Sequence, residues 1–85
     1  MAERKVSVAS EVGLHARPAA TFVQTAAKAP FDVTIAKAGG QPVNAKSILS
    51  VLALDVRQGE SIVITAEGEG AEDLLDQLAE IASAS

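Results

Sequence analysis

His15 is the only histidine in the chain, and its side chain is the one best suited to chemistry. It follows Gly13 by two positions and precedes Arg17 and Pro18. Gly13 permits a tight bend, and Pro18 fits the first turn of a helix, where a missing N–H costs nothing. The pattern predicts that His15 lies just outside a helix N-terminus, where unpaired N–H groups, the helix dipole and a guanidinium favour an anion. An imidazole in that position predicts a phosphoryl acceptor.

The alternative is that His15 is an ordinary surface or capping residue, as most histidines near helix starts are. Neither Leu14 nor Ala16 is a Ser, Thr, Asp or Asn that could cap the helix. The helix N-terminus is therefore open to an anion, which favours the functional interpretation.

The composition predicts one small domain over residues 1–85, with a core of aliphatic side chains. Hydrophobic residues make up 48% of the 85 residues, but only two of them are aromatic. The absence of cysteine excludes disulfides and thiolate metal sites, and a single histidine argues against zinc, so no metal or cofactor is expected. No apolar run of about 18 residues and no signal-peptide core are present, which predicts a cytoplasmic protein that does not insert into membranes.

Charge is distributed unevenly along the chain. The net charge is −4, and all seven basic residues lie at or before Arg57. Seven acidic residues follow Arg57 with no base among them. Nucleic acid is disfavoured as a partner because the chain has neither a dense basic patch nor an aromatic platform.

Hydrophobic periodicity predicts seven elements in the order β-α-β-β-α-β-α. They are a strand around residues 5–9, a helix from 16 or 17 to about 28, strands at 31–36 and 41–43, a helix at 47–54, a strand at 61–66, and a helix after residue 70. The order predicts an α+β two-layer sandwich.

The first helix has two distinct faces. Its predicted core stripe consists of Ala19, Phe22, Val23 and Ala26. Its opposite stripe consists of Arg17, Thr21, Gln24 and Lys28. The second stripe is interpreted either as a solvated face or as a track for an acidic partner.

The second helix has more apolar residues than one face can bury. Ser47 is its predicted N-cap. Ile48, Leu49 and Leu52 are predicted to form an exposed patch together with Leu14, unless sheet and loops cover them. Its predicted rim consists of Arg17, Gln24, Lys28 and Lys46.

Two segments resemble motifs of a known family. Residues 13–19, Gly-Leu-His-Ala-Arg-Pro-Ala, resemble the phosphorylation-site motif of HPr, the histidine phosphocarrier family of the bacterial phosphoenolpyruvate:sugar phosphotransferase system. Residues 46–49, Lys-Ser-Ile-Leu, resemble the family's regulatory-serine motif. The resemblance extends over nearly the whole chain. The chain differs from many family members at Asp55, where glycine is common. Its Ser47 also lies one position later, relative to His15, than the serine of many members.

The resemblance implies an open-faced sandwich with an antiparallel sheet in the order β1-β4-β2-β3 and three helices on one face. It implies a monomeric phosphocarrier, not an independent enzyme. Enzyme I would phosphorylate Nδ1 of His15, Arg17 would stabilise the phosphate, and a sugar-specific enzyme IIA domain would receive the group. It further implies regulation at Ser47 by a serine kinase/phosphorylase, with a transcriptional regulator as an additional partner.

Three other functions remain open at this point. A regulatory binding module would have no need of His15 as a nucleophile. A carrier of a nitrogen-related phosphotransferase branch would have the same fold and the same motif. A hydrolase of acyl phosphates would need a general base, and the only acid close to His15 in sequence is Glu11.

Overall fold

The computed structural model describes residues 2–8 and 16–84, with side chains in the second range from residue 19 to residue 83. Seven elements follow in the predicted order. They are β1 (Ala2–Ser7), α1 (Ala16–Ala27), β2 (Val33–Lys37), β3 (Val43–Asn44), α2 (Ile48–Ala53), β4 (Ser61–Ala66) and α3 (Ala71–Ala84).

The four strands form one antiparallel sheet in the order β1-β4-β2-β3, as the resemblance implied. β4 is central because its Ser-Ile-Val-Ile-Thr-Ala sequence alternates buried and half-buried side chains and pairs on both edges. Ile64 of β4 pairs with Arg4 of β1 on one side and with Ile35 of β2 on the other.

The helices cover one face of this sheet and enclose an aliphatic core. α3 packs on β1 and β4, and α1 packs between α3 and α2. The predicted core stripe of α1 is confirmed at Phe22, which is completely buried, and Leu75 and Leu78 of α3 are completely buried as well. Ile62 and Ile64 of β4 are buried against them.

Three strands, β1, β2 and β3, begin and end at residues other than those predicted from the sequence. β1 begins at Ala2 and ends at Ser7, and Val8 instead bonds the loop before β4, through its N–H to the Glu60 carbonyl at 2.9 Å. β3 comprises residues 43–44 and not 41–43, so that Pro42 precedes the strand. Ala45 fixes this register, because its N–H donates to the Val33 carbonyl at 2.9 Å.

Phe31 was predicted to open β2, but the strand begins two residues later. Its ring lies instead against Gly68, where an added Cβ would come within 2.4 Å of the ring. Gly68 has a φ of +153°, and the absence of a side chain there lets the ring approach the backbone. Packing against a distant turn has therefore overridden the local alternation of residues 31–36.

An ionic cluster joins the first strand to the last helix. The Arg4 guanidinium donates to Glu72 and, at 3.1 Å, to Asp76. Glu72 also lies in the first turn of α3, where a negative charge is favourable beside the positive end of the helix dipole. The cluster lies at the surface, so its contribution to stability is modest.

Candidate functional site

The start of α1 lies where the sequence predicted it. Ala16 is the first residue of the helix, so His15 directly precedes it in the chain. Leu14 and His15 lie outside the described residues, and Arg17 is the second residue of α1 with a side chain that is likewise outside them. The first turn of α1 has no acidic residue that would compete with a bound anion for the helix N–H groups.

The outer face of α1 is free of apolar cover in its described part. Thr21, Gln24 and Lys28 are exposed, with Lys28 directly after the last helical residue. Their spacing of three and four positions puts them on one side of the helix. This confirms the predicted exposure of the three residues, whereas their role as a track for a partner stays a prediction.

Ser47 is the N-cap of α2. Its backbone is extended, with φ −107° and ψ 115°, and its Oγ accepts a hydrogen bond from the Ser50 N–H at 3.3 Å. An N-cap has this geometry because its side chain replaces the intrahelical acceptor that the first N–H groups lack. The capping role predicted from sequence is therefore confirmed, and the side chain is half-buried.

α2 leaves two large apolar side chains in solvent. Leu49 is 78% exposed and Ile48 is 37% exposed, whereas Val51 is completely buried. Leu52 is half-buried and packs against the core, so the predicted patch is centred on Ile48 and Leu49 and includes only part of Leu52. An exposed leucine beside an isoleucine on a six-residue helix is typical of an interaction surface.

Lys46 differs most from its predicted environment. Instead of standing free on a rim, its side chain is half-buried and Nζ donates to the Ala29 carbonyl at 2.8 Å. Its backbone N–H donates to Asn44 Oδ1 at 2.9 Å. This role of Asn44 was not predicted, although an asparagine whose side chain accepts from the N–H two residues later is a recognised turn signal.

A concavity among the described residues lies away from the N-terminus of α1. It has a volume of about 530 Å³ and is lined by residues that include Pro30, Phe31, Asp32 and Thr65. Because Pro30 follows the C-terminal end of α1 and the helix has 12 residues, this cleft is roughly 18 Å from residue 16.

The described part of the chain has no cluster of histidine, cysteine, aspartate or glutamate that could hold a metal ion. Within the same residues, no helix has the length and apolar composition needed to cross a bilayer.

Comparison with known proteins gives a consistent result. A family model described as "PTS HPr component phosphorylation site" matches residues 2–84. The phosphocarrier protein HPr of Streptomyces coelicolor is 53% identical over 81 residues, which are 95% of this chain and 87% of that protein. The crystal structure of a phosphocarrier protein HPr from Bacillus anthracis superposes with a TM-score of 0.89 at 43% identity and covers 96% of both chains.

The chain therefore belongs to the HPr family of phosphocarrier proteins of the phosphotransferase system. A further similar structure is that of Crh, described as a catabolite repression protein of Bacillus subtilis, which has a TM-score of 0.73 and 41% identity and covers 96% of this chain and 93% of its own. That structure is described as a dimer with a swapped domain.

Proposed function

We propose that this protein accepts a phosphoryl group on His15 from phosphorylated enzyme I and donates it to enzyme IIA domains in sugar uptake. The observation that supports this most is the position of the motif at residues 13–19. It spans the start of α1, in a chain whose family model is described by a phosphorylation site and matches residues 2–84.

The proposed transfer is a displacement at phosphorus that is reversible. The Nδ1 lone pair of a neutral His15 forms the new P–N bond while the P–N bond to the enzyme I histidine breaks, and the second transfer repeats this with the IIA histidine as the nucleophile. The N–H groups of α1 and the Arg17 guanidinium offset the charge of the phosphate during transfer and on the carrier. The proposed transfer requires no cofactor on this chain.

The partners are proposed to dock on Ile48 and Leu49, with Leu14 and part of Leu52 completing the apolar centre. Thr21, Gln24 and Lys28 are proposed to flank this centre, since they lie on the outer face of α1 and α1 packs against α2. A partner suited to this surface has an apolar groove edged with acids. Enzyme I and the IIA domains would compete for it, since each must reach His15.

Acceptance of the phosphoryl group is tested with phosphoenolpyruvate, Mg²⁺ and enzyme I. We expect the wild-type chain to gain one acid-labile phosphate and His15→Ala to gain none while it keeps the same unfolding midpoint. Equal labelling of both proteins would contradict the assignment of His15. Absence of labelling in the wild type would favour the regulatory binding module.

Ser47 is proposed as a regulatory phosphorylation site in addition to its capping role. A phosphate there would be tolerated at the start of a helix but would put charge beside Ile48 and Leu49. The partners implied by this proposal are a serine kinase/phosphorylase and a transcriptional regulator.

The regulatory proposal is tested by comparing Ser47→Asp with Ser47→Ala. As a cap alone, Ser47→Ala costs about 1 kcal/mol of stability and leaves phosphoryl transfer intact. We expect Ser47→Asp to keep the cap and lose affinity for enzyme I selectively. Equal affinities of the two variants in a calorimetric titration would reduce Ser47 to a cap.

The protein is further proposed to act as a monomer in the cytoplasm. Its radius of gyration of 11.1 Å is near the roughly 12 Å expected for a compact chain of this length. Sedimentation equilibrium at micromolar concentration should give the monomer mass, and a dimer mass would favour an exchange of segments as described for Crh.

A further inference from the structure

Lys46 connects two helices that are distant in sequence. Its Nζ donates to the Ala29 carbonyl, 17 residues away, at 2.8 Å. Ala29 lies just beyond the last residue of α1, at the negative end of the helix dipole, where a cation is favourable. α1 has no basic residue in its own last turn, and the exposed Lys28 has no bond of this kind among the described residues.

The backbone around Lys46 is fixed as well. The Lys46 N–H donates to Asn44 Oδ1 at 2.9 Å, and the Ala45 N–H donates to the Val33 carbonyl of β2 at 2.9 Å. Ser47 then caps α2, and Ile48 follows as its first residue. The turn is thus tied to the sheet by its backbone, and the Lys46 side chain ties it to α1.

We propose, on the basis of the docking function proposed above, that Lys46 is a positioning residue for partner binding. It holds the N-terminus of α2 against the C-terminal end of α1, so that Ile48 and Leu49 keep a fixed relation to the outer face of α1. Its ammonium group donates to a carbonyl of the same chain. Lys46 therefore affects binding by fixing the position of α2, and not as a charge that attracts the partner. Without it, binding must also order α2, which weakens affinity.

The test compares Lys46→Met, which keeps the apolar stem and loses the donor, with Lys46→Arg, which keeps a cationic donor. Lys28→Met is the matched control, because it removes an exposed charge of the same type. Phosphoryl transfer from enzyme I is measured over a range of salt concentrations, at a temperature where all variants are folded. Hydrogen exchange of the α2 amides is measured in the free proteins.

For Lys46→Met we expect KM for the carrier to rise about two- to tenfold, the effect of ordering one or two side chains, with kcat unchanged. The salt dependence of KM should be the same as that of the wild type, and the α2 amides should exchange faster. Lys46→Arg should have KM and α2 exchange rates near the wild-type values. Lys28→Met should instead flatten the salt dependence without changing α2 exchange.

Two results would overturn the proposal. Flattening of the salt dependence by Lys46→Met would make Lys46 a charge on the docking rim. Unchanged KM together with a lower unfolding midpoint would make it a purely structural contact. If the wild type accepts no phosphate, the proposed function fails as well, and α2 exchange then shows separately whether Lys46 holds the helix.

Discussion

Arg17 is the second residue of α1 and therefore lies at the N-terminus of that helix. Its guanidinium is therefore expected to face the phosphate that His15 is proposed to carry. We expect Arg17→Ala to lower the single-turnover rate of phosphoryl transfer by roughly 10²-fold, the loss that follows removal of one preorganised donor. Binding of Arg17→Ala to enzyme I should still be detectable by calorimetry.

Arg17→Lys is the matched control, because it keeps the charge but loses the forked geometry. It should fall between the wild type and Arg17→Ala. A single-turnover rate that neither variant changes would make Arg17 a surface residue with no part in the transfer.

Asp55 has a left-handed backbone, with φ 53°, directly after the C-cap of α2. Glycine adopts this conformation without strain, which explains why glycine is common at this position among the members of the family that the sequence resembles. We expect Asp55→Ala to destabilise the fold by about 1 kcal/mol, whereas Asp55→Gly stays within about 0.5 kcal/mol of the wild type. The difference should appear in urea denaturation midpoints.

Asp55 also accepts hydrogen bonds from the Arg57 guanidinium, at 2.9 and 3.2 Å. Both substitutions remove this exposed ion pair, so the comparison between them isolates the backbone effect. Equal stability of the alanine and glycine variants would mean that the left-handed conformation carries no strain.

At the scale of elements, α2 combines one buried side chain, Val51, with two large apolar side chains that are exposed, Ile48 and Leu49. Because Leu49 is 78% exposed, Leu49→Glu should change the free energy of unfolding by less than about 0.5 kcal/mol. It should nevertheless weaken enzyme I binding at least tenfold, since it puts charge in the apolar centre of the docking surface.

Ala38→Glu is the control for this change, because Ala38 is an exposed residue of the turn after β2 and belongs to neither helix of the proposed docking surface. It adds the same charge and should leave binding near the wild-type value. Unfolding of the domain by Leu49→Glu would instead identify Leu49 as a core residue.

The loop before β4 gives the fold a predictable response to acid. The Arg57 N–H and then Lys37 donate to Glu60 Oε1, at 2.8 and 3.3 Å, and these contacts lower the pKa of Glu60 below its ordinary value of 4.5. Since the folded pKa is the lower one, the stabilisation is complete above about pH 4.5 and is lost as the pH falls through the folded pKa.

Glu60→Gln should therefore be less stable than the wild type at pH 7 and should converge with it at low pH. Urea midpoints measured across the acid range provide the comparison. Parallel curves for the two proteins would show that Glu60 has the same pKa in the folded and unfolded chains.

The strongly periodic elements could be predicted from sequence because their periodicity reports burial directly. α1, α3 and β4 lie where the pattern indicated, and Ser47 caps α2 as its residue type suggested. β3 was predicted one to two residues too early, because a two-residue strand has no periodicity of its own and takes its register from β2. Phe31 fitted the alternation of a strand, but its ring packs on Gly68 instead.

At the scale of the whole molecule, the contacts that join distant segments were not predictable. Arg4 bonds to α3 across 68 and 72 residues, and Lys46 bonds to Ala29 through a carbonyl that any residue could have supplied. The charge asymmetry of the sequence indicated only that such pairs were available. The order of the strands came from the family resemblance and not from the pattern of residues.

Transfer onward from His15 distinguishes a carrier from every alternative on this fold. The chain is phosphorylated with enzyme I and labelled phosphoenolpyruvate and then purified, and an enzyme IIA domain is added to it. We predict that the label moves to the IIA domain, and that in a separate reaction enzyme I with pyruvate takes it back to phosphoenolpyruvate. Label that remains on the chain, or that leaves only as inorganic phosphate, would contradict the account.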